Sequence, residues 1–448
     1  MLRNLFICFL FVCAGLNAQY SIKGSIDPSL NYSWILLYKL ENGNQTYMDN
    51  SDVVEGAFEF KIDEKETSGV YRAYYQIENS LYVEFIYNKE EIVFSFDPNN
   101  PEESLHFSES EENNLVNDYY SLIRSQQRKI DSLQVIYFQS TNDEETKKIV
   151  QTYQKELSFL NEKQAQFEEK SQGKFANHFI RASKQYNAEM PYKNPNDYLN
   201  GIKDHFFDSI DLKDTVLSHS TFINDRLNDY VFYLNQADNI EAVNSLQQKA
   251  IDKSIAWINK DYKILKSFEE SLIEEYLIQE NVAMLNYVID RHYNTLPAKY
   301  QDEVLENKVE ATLKTAIGTR APDFYWELDG VKNTLHGLSG TDYYIVLFFS
   351  SDCPHCQVEI PEFHDFIIGI ENIKVVAVGL EDDKESWELM TQEYHEFINI
   401  LDLEKWSSEK VNNYGVNAIP TYFVLDADKN ILAKPLDFEE LKSMFETK

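Results

Sequence analysis

The spacing of apolar residues changes twice along the chain. Ile22-Lys23-Gly24-Ser25-Ile26, Phe58-Glu59-Phe60-Lys61-Ile62 and Ile92-Val93-Phe94-Ser95-Phe96 alternate with the period of two of a half-buried strand. Residues 34–38 and 82–86 are short apolar-rich runs of strand length. Asp27-Pro28, Asn42-Gly43-Asn44, Glu55-Gly56 and Asp97-Pro98-Asn99-Asn100 separate them with turn residues. Short strands at this spacing predict an antiparallel β-sandwich over 19–108, with its aromatic residues as core.

Beyond it the period lengthens. Leu115, Tyr119, Leu122, Ile123, Ile130, Leu133, Ile136 and Tyr137 recur at helical spacing. Val150, Tyr153, Leu157 and Leu160 continue the pattern after Thr141-Asn142-Asp143, which reads as a helix cap. A long helical hairpin is predicted, followed past Pro191 and Pro195 by amphipathic stretches at 219–237, 241–258, 261–279 and 297–316. This all-α region, 109–314, reads as a spacer. Its helices also offer apolar seams for a homodimer or for holding clients.

From 315 to 448 the pattern becomes strand-helix alternation. Tyr343-Tyr344-Ile345-Val346-Leu347-Phe348-Phe349 and Ile373-Lys374-Val375-Val376-Ala377-Val378 read as buried strands. Helices are predicted to about Ile370, at 384–396 and around 407–414, with a strand at 398–401. Strands at 421–425 and 431–433 flank a polar turn, and a terminal helix starts near Asp437. This order predicts an α/β sheet with helices on both faces.

With 448 residues, the chain is long enough for roughly three domains. Lys and Arg number 41 against 75 Asp and Glu, a net charge of −34, which argues against a nucleic-acid partner. Arg3, the apolar run Leu5-Phe6-Ile7-Cys8-Phe9-Leu10-Phe11-Val12 and the small residues up to Ala18 read as an export signal over 1–18. Phe11 and Val12 are bulky where a lipoprotein cut before Cys13 would want small residues. No later apolar run is long enough to span a bilayer, so no transmembrane segment is expected after cleavage. The expected location is exported, in the periplasm or cell envelope of a bacterium.

Of four cysteines, Cys8 and Cys13 lie in the signal, leaving Cys353 and Cys356 in a C-x-x-C. So small a loop removes little chain entropy, so the pair is a poor structural staple. Zinc would need two further ligands, and no second C-x-x-C exists. His355 sits inside the loop, so no metal is expected and redox chemistry is the preferred reading.

Four features carry a family resemblance. Gly318-Thr319-Arg320-Ala321-Pro322-Asp323-Phe324 reads as a lead-in strand, and Cys353-Pro354-His355-Cys356 stands between a buried strand and a helix. Glu359 and Pro361 complete C-x-x-E-x-P, and Ala418-Ile419-Pro420-Thr421 precedes a strand. Residues 316–448, under a third of the chain, thus resemble the thioredoxin superfamily in its TlpA/ResA-like branch of exported thiol-disulfide oxidoreductases.

The resemblance implies Cys353 as nucleophile and Cys356 as resolving thiol. At a helix N-terminus, free N–H groups and the dipole would favour the Cys353 thiolate. Pro354 fits the first turn, and His355 would share charge or a hydrogen bond with the sulfur. Glu359, on the helix face of Cys356, would relay its proton. By resemblance, Pro420 is the family's cis-proline, and Ile419 offers its edge to an extended substrate. Protein thiols and disulfides would be the substrates and a redox partner protein the electron donor or acceptor, with no bound cofactor.

The chain departs from the thioredoxin pattern in having Asp352 before the first cysteine and Leu347 in place of a buried aspartate. Pro354-His355 matches the oxidant DsbA, whereas the surroundings match reductases, so the direction of exchange stays open. A peroxiredoxin-like peroxidase and a non-catalytic envelope binding or assembly protein are the alternative readings. Against the peroxidase pattern, Ser350 and Val346 stand where Thr and Pro are expected.

Overall fold

The computed structural model describes residues 19–29, 32–77, 80–328 and 330–446. The predicted export segment, with Cys8 and Cys13, lies outside the described residues. The chain forms two compact units, Met1–Phe268 and Glu269–Lys448.

In the first unit, β1 (Gln19–Ile26), β2 (Trp34–Glu41), β3 (Asn44–Asp52), β4 (Ala57–Asp63), β5 (Gly69–Gln76), β6 (Leu81–Tyr87), β7 (Ile92–Phe96) and β8 (His106–Glu109) make two four-stranded sheets. Their orders are β4-β1-β7-β8 and β3-β2-β5-β6. Inward-facing Ile22, Phe60 and Phe94 of one sheet meet Leu37, Tyr71 and Phe85 of the other in a single core, so the region is a sandwich. The pairing departs from the expected antiparallel pattern in one place: β1 and β7 run parallel. The whole second sheet intervenes between them in sequence, which gives the chain the long crossover that parallel partners require.

A short helix, α1 (Pro101–Ser104), precedes β8, and α2 (Glu111–Gln139) and α3 (Asp143–Lys170) form the long hairpin. The Asn142 side chain caps α3 by accepting from the N–H groups of Glu144 and Glu145. The hairpin seam is partly polar: Gln164 accepts from the Tyr119 hydroxyl at 2.9 Å and the Gln126 side chain donates to the Glu156 carbonyl at 3.1 Å. At β6, the Asn113 side chain of α2 accepts from the Ile86 N–H at 2.7 Å and donates to its carbonyl at 2.8 Å. α4 (Ala176–Ala182), α5 (Pro195–Asp204), α6 (Phe222–Asn228) and α7 (Ile240–Ile258) follow, and α8 (Tyr262–Ile278) spans the division between the units. The helix expected over 219–237 is α6 continued by a π-helical turn, Asp229–Tyr233.

In the second unit, α9 (Val282–Arg291) and α10 (Glu303–Lys314) precede a hairpin of β9 (Tyr325–Leu328) and β10 (Val331–Thr334). Then come β11 (Tyr343–Phe349), α11 (Pro354–Ile367), β12 (Ile373–Leu380), α12 (Lys384–Thr391), β13 (Ile398–Asp402), α13 (Glu409–Tyr414), β14 (Thr421–Asp426), β15 (Ile431–Ala433) and α14 (Phe438–Glu446). The sheet order is β13-β12-β11-β14-β15, with β11, β12 and β13 parallel and β14 antiparallel to both its neighbours. Central β11 is apolar throughout because both its faces are covered. Ile345, Leu347 and Phe349 pack with α11 and α14, whereas Tyr344, Val346 and Phe348 pack with α13.

Of residues 318–324, read as a lead-in strand, Arg320 alone pairs, in an isolated antiparallel bridge with Asn430 flanked by hydrogen bonds such as Gly318 N–H to the Ile431 carbonyl at 2.7 Å. Regular pairing begins only at Tyr325, after Pro322. Pro322 has no N–H to give a ladder. No described helix is long and apolar enough to cross a membrane.

Candidate active site

β11 ends at Phe349, and Ser350-Ser351-Asp352 turns the chain into α11. Cys353 is the N-cap of α11, and its sulfur accepts the N–H of Cys356 at 3.3 Å. Negative charge on that sulfur is therefore met by a backbone donor at the positive end of a helix. Pro354 occupies the first turn, where no N–H is needed. Cys353 is half-buried and Cys356 buried, and both are free thiols. Burial pushes the Cys356 thiol far above its ordinary range, with Cys353 and Glu359 adding to the shift.

The register of β14 against β11 pairs Thr421 with Phe348, so the segment before β14 arrives beside the end of β11. The Cys353 thiol lies 3.6 Å from the Ile419 carbonyl oxygen, and the Ile419–Pro420 peptide is cis. Cys353, Cys356, Ile419 and Pro420 therefore converge.

Glu359 is half-buried one turn after Cys356. Its Oε1 accepts the Tyr422 hydroxyl at 2.8 Å and the Phe438 N–H at 3.0 Å. Pro361 lies within the same helix. His355 is exposed and, among the described residues, makes no hydrogen bond or ion pair. The expected contact with the Cys353 sulfur is not formed, because a side chain in the first turn can point away into water. Asp352 is exposed too, and Leu347 packs in the core beside Cys356.

Two residues escaped the sequence reading. Glu381, buried just after β12, accepts the Ser351 N–H at 2.7 Å and the Ser351 hydroxyl at 2.6 Å, with the Ser350 hydroxyl at 3.4 Å. It ties down the turn that leads to Cys353. Tyr422 is fully buried inside an apolar strand, where only its hydroxyl hinted at a polar partner. Among the described residues, no group of three or more His, Cys, Asp or Glu is placed to hold a metal.

Residues 340–431 match a family model described as thioredoxin-like, and residues 20–116 match one described as a domain of unknown function (DUF4369). No curated protein matches the chain. Among solved structures, a thioredoxin-like protein from Bacteroides caccae is 21% identical, with 59% of this chain and 98% of that one covered and a TM-score of 0.41. The thioredoxin domain of a thiol-disulfide oxidoreductase from Bacteroides vulgatus is 21% identical over 30% of this chain and 96% of that one, with a TM-score of 0.27. A thiol:disulfide interchange protein from a Bacteroides species is 21% identical over 30% of this chain and 90% of that one, also with a TM-score of 0.27. The strand order, the Cys-x-x-Cys at the head of α11 and the matched family model agree: the C-terminal domain of this chain is thioredoxin-like.

Proposed function

We propose that the chain is an exported thiol-disulfide oxidoreductase that exchanges disulfides with protein substrates through Cys353 and Cys356. The observation that carries this reading is the Cys353 sulfur, which meets the Cys356 N–H at 3.3 Å and lies 3.6 Å from the Ile419 carbonyl. In the reducing direction, the Cys353 thiolate attacks a client disulfide. The client S–S bond breaks, one client sulfur leaves as thiolate, and a mixed disulfide forms. Cys356 then gives its proton to Glu359 and attacks the Cys353 sulfur. The second client sulfur leaves, and the Cys353–Cys356 disulfide remains. The client has gained two electrons and the pair has lost two, which a redox partner protein restores. Oxidation of a client dithiol runs the same steps backwards.

Insulin reduction and oxidative refolding of reduced ribonuclease test the proposal. Cys353→Ser should abolish both, and retained activity would refute the reading. A reduction potential near about −120 mV would mark an oxidant, and one near about −270 mV a reductant. The export reading of 1–18 puts this exchange in the cell envelope, and cell fractionation with N-terminal sequencing tests that.

A further inference from the structure

Tyr422 stands among apolar residues of β14, fully buried, its ring centroid 5.3 Å from that of Phe363. A buried tyrosine hydroxyl needs a hydrogen-bond partner, and here it is Oε1 of Glu359 at 2.8 Å. The Phe438 N–H, which opens α14, reaches the same oxygen at 3.0 Å. One oxygen of Glu359 therefore accepts two hydrogen bonds, while Oε2 accepts none among the described residues. The terminal torsion of a glutamate is broad, so these two donors decide which oxygen stays free.

Burial holds the Tyr422 hydroxyl protonated far above its ordinary range, and the charge of Glu359 adds to this. Tyr422 is thus a donor at any working pH. Cys356 is raised by burial as well, so its attack on a mixed disulfide needs a base. The titratable groups bearing on this pair are Cys353 at the head of α11, Glu359 on α11, and Asp437 just before α14.

We infer that Tyr422 is a positioning residue for the resolving step: by holding Oε1 of Glu359, it presents Oε2 as the atom that receives the Cys356 proton. The inference rests on the disulfide-exchange reading above. As the proton moves from Cys356 Sγ to Glu359 Oε2, the sulfur–sulfur bond to Cys353 forms and the bond from Cys353 to the client sulfur breaks. The client sulfur departs as thiolate, so charge and electrons balance.

The test uses the full chain with Cys8 and Cys13 replaced by serine and Cys353 loaded with 5-thio-2-nitrobenzoate. Release of that coloured thiolate by Cys356 is followed across pH. Tyr422→Phe keeps the ring packing and removes the hydroxyl. Release should slow about tenfold at neutral pH, with the deficit shrinking as hydroxide takes over the proton transfer. In a Glu359→Gln background the same substitution should slow release no further. Unchanged release, or equal slowing in both backgrounds, would overturn the inference. Glu359→Asp draws the carboxylate one methylene back from Tyr422 and Phe438 and should also be slowed. Release at the parent rate there would overturn the inference too, whether or not Tyr422→Phe folds. Insulin turnover is measured separately. If it is absent while release still depends on Tyr422, the client reading fails and the positioning role stands.

Discussion

The Cys353 sulfur and the Ile419 carbonyl oxygen lie 3.6 Å apart, although 66 positions separate them in sequence. The antiparallel register of β11 and β14 produces this meeting, by bringing the start of one strand to the end of the other. In the exchange proposed above, this backbone acceptor beside the half-buried sulfur is the group with which an extended client chain bonded to Cys353 would pair.

Cys356→Ser should leave Cys353 able to attack but unable to release its client. Turnover should fall to background while a mixed disulfide accumulates. Non-reducing electrophoresis and mass spectrometry of the trapped adduct check this. If no adduct forms with any client, the assignment of the two sulfurs is wrong.

Glu381 holds the turn before Cys353 by three hydrogen bonds from a buried carboxylate. Glu381→Ala should cost about 2 kcal/mol of stability by leaving those donors poorly satisfied. It should also alter the rate at which Cys353 reacts with a small disulfide. Urea unfolding and stopped-flow labelling measure the two effects. Stability and reactivity both equal to the parent would remove Glu381 from any role at the site.

Asn113 bonds both the N–H and the carbonyl of Ile86 from a buried position. Asn113→Ala leaves two buried backbone groups without their partner and should cost about 3 kcal/mol. Asn113→Asp keeps the acceptor for the N–H but sets a second, ionisable oxygen against the Ile86 carbonyl in a buried site, so at neutral pH it should cost more than the alanine. Chemical denaturation of the three proteins gives the ranking, and any other order contradicts this account.

Glu269 is buried, its Oε2 has no hydrogen-bond partner, and burial raises its carboxyl from the ordinary 4.5 to about 8, with Glu270 adding to the shift. Between those values the native chain keeps a proton that the unfolded chain has lost. This contribution to stability is complete below about 4.5, falls as pH rises through the window and levels off above about 8. Glu269→Gln should be more stable than the parent at pH 9, by on the order of a few kcal/mol, with little difference at pH 4. Thermal melts across pH test this; parallel curves for parent and variant would contradict it.

Local pattern determined much of the molecule. Alternation in Phe58-Glu59-Phe60-Lys61-Ile62 became the exposed-buried alternation of β4, and the cap read at Asn142 opens α3. The unbroken apolar run 343–349 became the doubly covered strand β11. These features were legible because they depend on neighbours a few residues apart, through side-chain period and backbone capping. The parallel pairing of β1 with β7 was not, since alternation reports which face is buried and says nothing of strand direction.

At the site the division is the same. The spacing of Cys353 and Cys356 and their place at the start of a helix could be read directly, because one turn of helix holds them together. Tyr422 meeting Glu359 and Glu381 meeting Ser351 could not, because each joins side chains many residues apart. Local pattern settles which element a residue enters and which way it faces. Which distant polar groups then meet is decided by sheet order and register, and only the folded chain holds that information.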